Sequence, residues 1–185
     1  MQWWIWVLIT AALVVVGVVA WAMYRKQRTG RLRESFGPEY DRTVQAAGDR
    51  REAESELEAR QKRREELTIR PLDPAARLRY AEAWRVVQGR FVDSPADSVR
   101  DADRLVTDVM RERGYPMDDF ETRAADISVD HPNLVENYRA AHAISVSSDG
   151  GDAGTEDLRQ AMVHYRTLFE ELVQGEGGQP MREAR

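Results

Sequence analysis

Three histidines, His131, His142 and His164, are the side chains of this chain best suited to chemistry near neutral pH. Two of them fall in ISVDHPNLVENYRAAH, which also holds Asp130 and Glu136, with Asp126 just before it. Such a set suits two chemistries. Imidazoles and carboxylates can hold a divalent metal, and a pair of carboxylates can divide acid and base roles in a hydrolase. Spacing limits the first. His131 and His142 are eleven positions apart, so one helix would put them on nearly one face but about 16 Å apart along its axis. Metal-bound nitrogens must lie near 2 Å from the ion. His142 and His164 belong to different expected helices and could meet across a bundle, with Glu136 or Asp130 nearby. A packed role, hydrogen-bonded to Tyr138 or Tyr165, is the plainer reading. The carboxylates are also weak evidence, because clusters such as Asp126, Asp130 and Glu136 arise freely as solvated faces in a chain with 32 acidic residues. Ser128 and Ser145 have no nucleophile motif around them. A polar corner at Asp130 and His131 remains, and no catalytic residue, cofactor or metal ligand set is assigned.

Other chemistries drop out on motif grounds. There is no HExxH, no nucleophile elbow and no phosphate-cradling glycine loop; Gly150, Gly151 and Gly154 lie in a polar stretch with no strand before it. With no cysteine among the 185 residues, disulfides, thiolate metal sites and cysteine nucleophiles are excluded.

The elements that must position these residues follow from an uneven composition. The first 24 residues contain no Asp, Glu, Lys or Arg. Arg25, Lys26, Arg28, Arg31 and Arg33 then arrive together against Glu34 alone, a local charge of +4. The whole chain carries −5, so everything from Ser35 onward carries −9. An acidic body argues against nucleic-acid binding, which needs a surplus of Lys and Arg for phosphate contacts.

The stretch WWIWVLITAALVVVGVVAWAM supplies the roughly 20 apolar residues a helix needs to cross a bilayer. Trp3, Trp4 and Trp6 at one end, and Trp21 and Tyr24 at the other, suit interfacial belts. The expected organisation is therefore a transmembrane anchor over 3–24, a basic juxtamembrane collar over 25–38, a charged helical stalk over 39–70, a soluble helical bundle over 73–174 and a flexible tail over 175–185. Positive residues stay inside, so Arg25, Lys26, Arg28, Arg31 and Arg33 place the N-terminus outside and the body in the cytoplasm, at the cell membrane. The rival is a signal peptide cleaved near Ala20-Trp21-Ala22, which would export the body. The long apolar run and the basic stretch directly after it disfavour that rival.

Gly37-Pro38 breaks the chain, and one long polar helix is expected from about Glu39 to Leu67. Its apolar positions are too sparse for a strong coiled coil, leaving weak self-association along the stalk. Beyond it, Asp73-Pro74 and Ser94-Pro95 read as helix starts and Gly114 as a left-handed stop. Expected inward faces run through Leu78, Ala81, Trp84, Val87, Gln88 and Phe91; through Val99, Ala102, Leu105, Val106, Val109 and Met110; through Phe120, Ala124 and Ile127; through Leu134, Tyr138 and Ala141; and through Leu158, Met162, Tyr165, Leu168, Phe169 and Leu172, the last helix capped by Thr155. Pro132 sets a boundary at Asp130-His131, either of which is expected to cap the helix that follows. The fold class is all-α, with four main helices and a short one in the body.

The segments FGPEYDRTV, ERGYP, ISVDHP, ENYRAAH and AMVHYR resemble those of an uncharacterised group of bacterial, actinobacterial-type hypothetical membrane or secreted proteins. The resemblance covers nearly the whole chain and implies one N-terminal anchor and a helical body; it implies no activity. The expected function is a membrane-tethered, non-enzymatic helical interaction module whose partners are the lipid bilayer and a protein. The alternative is an anchored enzyme of hydrolase type working at Asp130 and His131.

Overall fold

The computed structural model describes residues 3–174, apart from the side chains of residues 4–12, 14, 18, 22 and 24. Every regular element among the described residues is an α-helix. In chain order these are α1 (Trp3–Phe36), α2 (Pro38–Ala47), α3 (Arg50–Glu66), α4 (Pro74–Arg90), α5 (Pro95–Arg113), α6 (Phe120–Asp130), α7 (Val135–Asp149) and α8 (Thr155–Gln174). The chain divides into two compact units, Met1–Glu58 and Ala59–Arg185.

In the first unit α1 runs unbroken for 34 residues, carrying the apolar stretch and the basic collar on one rod. Among the described residues no helix is long and apolar enough to cross a membrane. The anchor expected over 3–24 falls largely on side chains outside the described residues, Trp4, Trp6 and Tyr24 among them. Gly37 ends the rod with φ 47°, and Pro38 opens α2. The single polar helix expected from Glu39 to Leu67 is two helices. Gly48 sits between them at φ 70°, a left-handed conformation that ends α2 and costs a glycine nothing sterically. Asp49 then starts α3, accepting the backbone N–H groups of Arg51 and Glu52 on Oδ1 at 2.7 and 3.0 Å. This break gives residues 39–58 tertiary contacts that a plain solvated stalk would lack. Leu32, Phe36, Tyr40, Ala53 and Leu57 are buried. The buried Glu54 carboxylate accepts the hydroxyls of Thr29 at 2.7 Å and Tyr40 at 3.0 Å, which compensates its removal from water. Burial and the Glu54 carboxylate raise the Tyr40 pKa.

In the second unit α8 packs against both α5 and α7, with α4 against α5 and α6 against α7. The α8 face of Leu158, Met162, Tyr165, Leu168, Phe169 and Leu172 is buried throughout. On α5, Val99, Ala102, Val106, Val109 and Met110 are buried, and Leu105 packs beside them. Trp84 of α4 stacks on Phe169 at a centroid distance of 4.7 Å. Full burial of one such aliphatic side chain stabilises by roughly 1.5–3 kcal/mol. The inward face of α4 differs from expectation. It runs through Ala76, Tyr80, Trp84 and Val87, and Leu78 is 74% exposed. Four- and three-residue steps align Tyr80, Trp84 and Val87 with the core, whereas Leu78 lies six positions before Trp84 and so about 120° around the helix.

Termini follow local chemistry. Asp73 caps α4, accepting the Ala76 N–H at 2.8 Å, and Asp119 does the same for α6 through Thr122 at 3.0 Å. Ser94 occupies the cap position of α5 but accepts no hydrogen bond through its side chain. Thr155 is the first residue inside α8, not its cap; Asp157 reaches back to accept the Gly154 N–H at 2.9 Å. Gly114 ends α5 at φ 101°, where a Cβ would lie 2.6 Å from the Thr68 carbonyl oxygen. The buried Arg113 beside it donates to the Arg70 and Leu172 carbonyls at 3.4 and 3.2 Å, tying the stretch before α4 and the end of α8 to α5.

Candidate functional site

Asp130 is the last residue of α6, and His131 is its C-cap, donating its backbone N–H to Ile127 O at 2.8 Å. Pro132 cannot follow in the same helix, so 131–134 turn, and the His131 carbonyl accepts from Leu134 at 3.0 Å and Val135 at 3.3 Å. The next helix therefore begins at Val135 with no side-chain cap. Neither the Asp130 carboxylate nor the His131 ring caps it.

The Asp130 carboxylate instead faces α3 and the loop after α5. Its Oδ2 accepts from Arg64 Nε and from the Tyr115 hydroxyl, each at 2.6 Å. Arg64 belongs to a stripe on the last two turns of α3. Arg60 Nη1 lies 3.4 Å from Ser128 Oγ, and Arg63 reaches Asp126 at 3.0 Å and Asp118 at 2.8 Å. Positions 60, 63 and 64 share one helical face, and α6 answers with Asp126, Ser128 and Asp130. Burial and the adjacent carboxylate push the Tyr115 hydroxyl far above its ordinary pKa. Burial also raises Asp126, outweighing the Arg63 guanidinium, with Asp118 and Asp130 adding to the rise. The His131 side chain is 3% exposed, with Nδ1 3.6 Å from Glu171 Oε1. This corner is a clasp: Asp130 Oδ2 takes a guanidinium and a phenol, Asp126 Oδ1 takes a second guanidinium, and the imidazole is covered, while Asp126 Oδ2 is buried with no hydrogen-bond partner among the described residues. The arrangement can fix α3 against α6.

The other two histidines part company. His142 stacks on Phe120 at 3.7 Å, with Nδ1 3.6 Å from Asp103 Oδ1. That same oxygen accepts the Tyr165 hydroxyl at 2.7 Å. Burial pushes Asp103 up, yet the nearby His142 ring, the Tyr165 hydrogen bond and the Arg123 charge outweigh it, so its pKa falls below the ordinary value. Tyr165 moves the opposite way, raised by burial and by Asp103, with Ser145 in reach of its hydroxyl. His164 pairs with Asn137 at 3.1 Å. Glu136 pairs with Arg139 on its own helix, apart from the α3 arginines that take Asp126 and Asp130. No group of three or more metal-ligating side chains forms among the described residues. The Ser128 hydroxyl donates to Ala125 O at 2.6 Å.

Of the residues read as membrane and topology determinants, Trp3 and Trp21 are exposed, as are Lys26, Arg31 and Arg33, while Arg25 and Arg28 are half-buried. Arg25 lies over the Trp21 ring at 5.5 Å, and Arg28 forms a two-point ion pair with Glu58. Arg33 bonds Asp41 at 2.9 Å. Arg51, on the first turn of α3, lines a groove with Trp21, Arg25, Arg28 and Glu54. It lies 26 positions from Arg25, and no local spacing rule would have joined it to the collar.

Compared with known proteins, the chain matches no family model, no curated protein and no solved structure.

Proposed function

We propose that this protein is a membrane-tethered helical interaction module, anchored by α1 at the inner face of the cell membrane. One observation carries the reading. The described large apolar side chains of the first 24 residues, Trp3, Leu13, Val15, Val16, Val19, Trp21 and Met23, are each more than half exposed. Successive positions 15 and 16, and then 19, 21 and 23, lie all around the helix, so no single protein face would cover them. A helix apolar on all sides suits a hydrocarbon surround, where its backbone bonds are satisfied internally. Residues 3–23 extend about 31 Å at helical rise, close to the thickness of the hydrocarbon core. The basic residues at 25–33 favour a cytoplasmic body.

The interaction role rests on what the polar groups of the body are used for. Asp103, Asp130 and the His142 ring sit in contacts that join helix to helix, and the Asp130–His131 corner is a clasp. The test joins two fusions at the C-terminus. A fluorescent protein should fluoresce, and alkaline phosphatase should stay inactive, with both chains retained in membranes after alkaline carbonate washing. Active phosphatase would refute the cytoplasmic body, and release by carbonate would refute the tether. Cross-linking and pull-down from native membranes, with and without residues 1–35, then identifies the partner.

A further inference from the structure

The groove in the first unit has a composition that the tether alone does not require. Trp21, Arg25, Arg28, Arg51 and Glu54 line a space of about 190 Å³. Its charges are not equivalent. Arg28 is committed to Glu58, and Glu54 accepts the Thr29 and Tyr40 hydroxyls on Oε1. Asp49, close to Arg51 in sequence, accepts two backbone N–H groups on Oδ1 at the start of α3. Arg25 and Arg51 face the groove; the Asp49 carboxylate is near enough to feel both charges, but neither guanidinium hydrogen-bonds a carboxylate among the described residues. Planar guanidinium groups match the oxygens of phosphate. The exposed Trp21 forms one wall, and indoles prefer the headgroup level of a bilayer.

We propose that this groove binds a phosphate ester, supplied by the headgroup of an anionic phospholipid in the inner leaflet. The inference rests on the tether reading, because an inserted α1 brings Trp21 and Arg25 to the headgroup layer. It adds a second element to the membrane contact: Arg51 comes from α3, so the lipid phosphate would bridge the collar and the start of the helix that folds back on it. Phosphatidylglycerol meets both requirements, with a negative phosphate and no amine to compete for the guanidinium groups.

The test uses the full chain in nanodiscs of phosphatidylcholine with or without phosphatidylglycerol, and counts lipids retained on the released protein by native mass spectrometry. Phosphatidylglycerol should be retained in preference to phosphatidylcholine. Arg51→Gln should lower that retention about tenfold, as expected for losing one charge-assisted hydrogen bond. Arg51→Lys should restore part of it, and Arg31→Gln, outside the groove, should leave it unchanged. Equal retention of the two lipids, or equal loss in the Arg31 and Arg51 variants, overturns the proposal. Displacement of phosphatidylglycerol by millimolar inorganic phosphate would assign the groove to free phosphate and overturn the lipid source. Carbonate washing of the same variants separates the two readings: a chain that stays in membranes without lipid preference loses only the groove, and one that washes off loses the tether as well.

Discussion

The Tyr165 hydroxyl donates to Asp103 Oδ1 at 2.7 Å, joining α8 to α5 through one oxygen that also faces His142. The Tyr165 hydrogen bond and the neighbouring His142 and Arg123 lower the Asp103 pKa although burial opposes them, so the ionised form belongs to the folded state.

Removing the phenol oxygen tests that relationship. Tyr165→Phe keeps the ring in the core and should destabilise the chain by about 1–3 kcal/mol, the range for leaving a charged acceptor short of a donor. The pH dependence has a defined sign. A carboxylate whose folded pKa is depressed contributes stability above its unfolded pKa, about 3.9 for Asp, and that contribution is lost as pH falls through the folded value. The stability gap between wild type and Asp103→Asn should therefore be full at neutral pH and should close as the pH drops below about 4. Chemical denaturation across that range measures it, and a gap that stays constant would count against the assignment.

Two left-handed glycines separate backbone strain from steric collision. A Cβ at Gly48 would meet nothing within 4 Å, whereas one at Gly114 would meet the Thr68 carbonyl at 2.6 Å. Gly48→Ala should cost about 1–2 kcal/mol, the ordinary penalty for a left-handed non-glycine residue. Gly114→Ala carries that penalty and the displacement of a backbone carbonyl, for about 3 kcal/mol in all. Thermal melting of the two variants side by side gives the order, and equal losses would contradict it.

Leucines distinguish the core face from its neighbour. Leu168 is fully buried and Leu78 is 74% exposed. Leu168→Ala should cost about 2–5 kcal/mol, and Leu78→Ser should stay within about 0.5 kcal/mol of wild type. A large loss at Leu78 would mean that α4 turns a different face inward.

Much of the body is legible in the chain because its signals are local. The aromatic and aliphatic steps of α8 repeat every three or four residues, and their whole face is buried. The proline-opened starts at Pro74 and Pro95 and the stop at Gly114 are set by neighbouring backbone chemistry. On α4 two stripes competed, and only the packing of Tyr80, Trp84 and Val87 decided against Leu78. Gly48 was hidden inside a run of good helix formers. The site was less legible. Pro132 marks the corner, but the partners of Asp130, Arg64 and Tyr115, lie 66 and 15 positions away. Asp103 and His142 come from separate helices, and nothing in their local sequence announces the pairing. Charges read as a solvated stalk become specific when three of them, Arg60, Arg63 and Arg64, recur on one face opposite α6.

The stack of Trp84 on Phe169 has an optical consequence. Four of the five tryptophans, Trp3, Trp4, Trp6 and Trp21, lie in α1, and Trp84 is the only one beyond it. Its ring is 5% exposed, it lies 16° from parallel to Phe169, and its Nε1 has no hydrogen-bond partner among the described residues. An indole in so dry a setting emits at short wavelength, and opening of the body would shift that emission to the red. The spectrum of the chain minus that of Trp84→Phe thus isolates a single chromophore, and the body reports its own folding without a label.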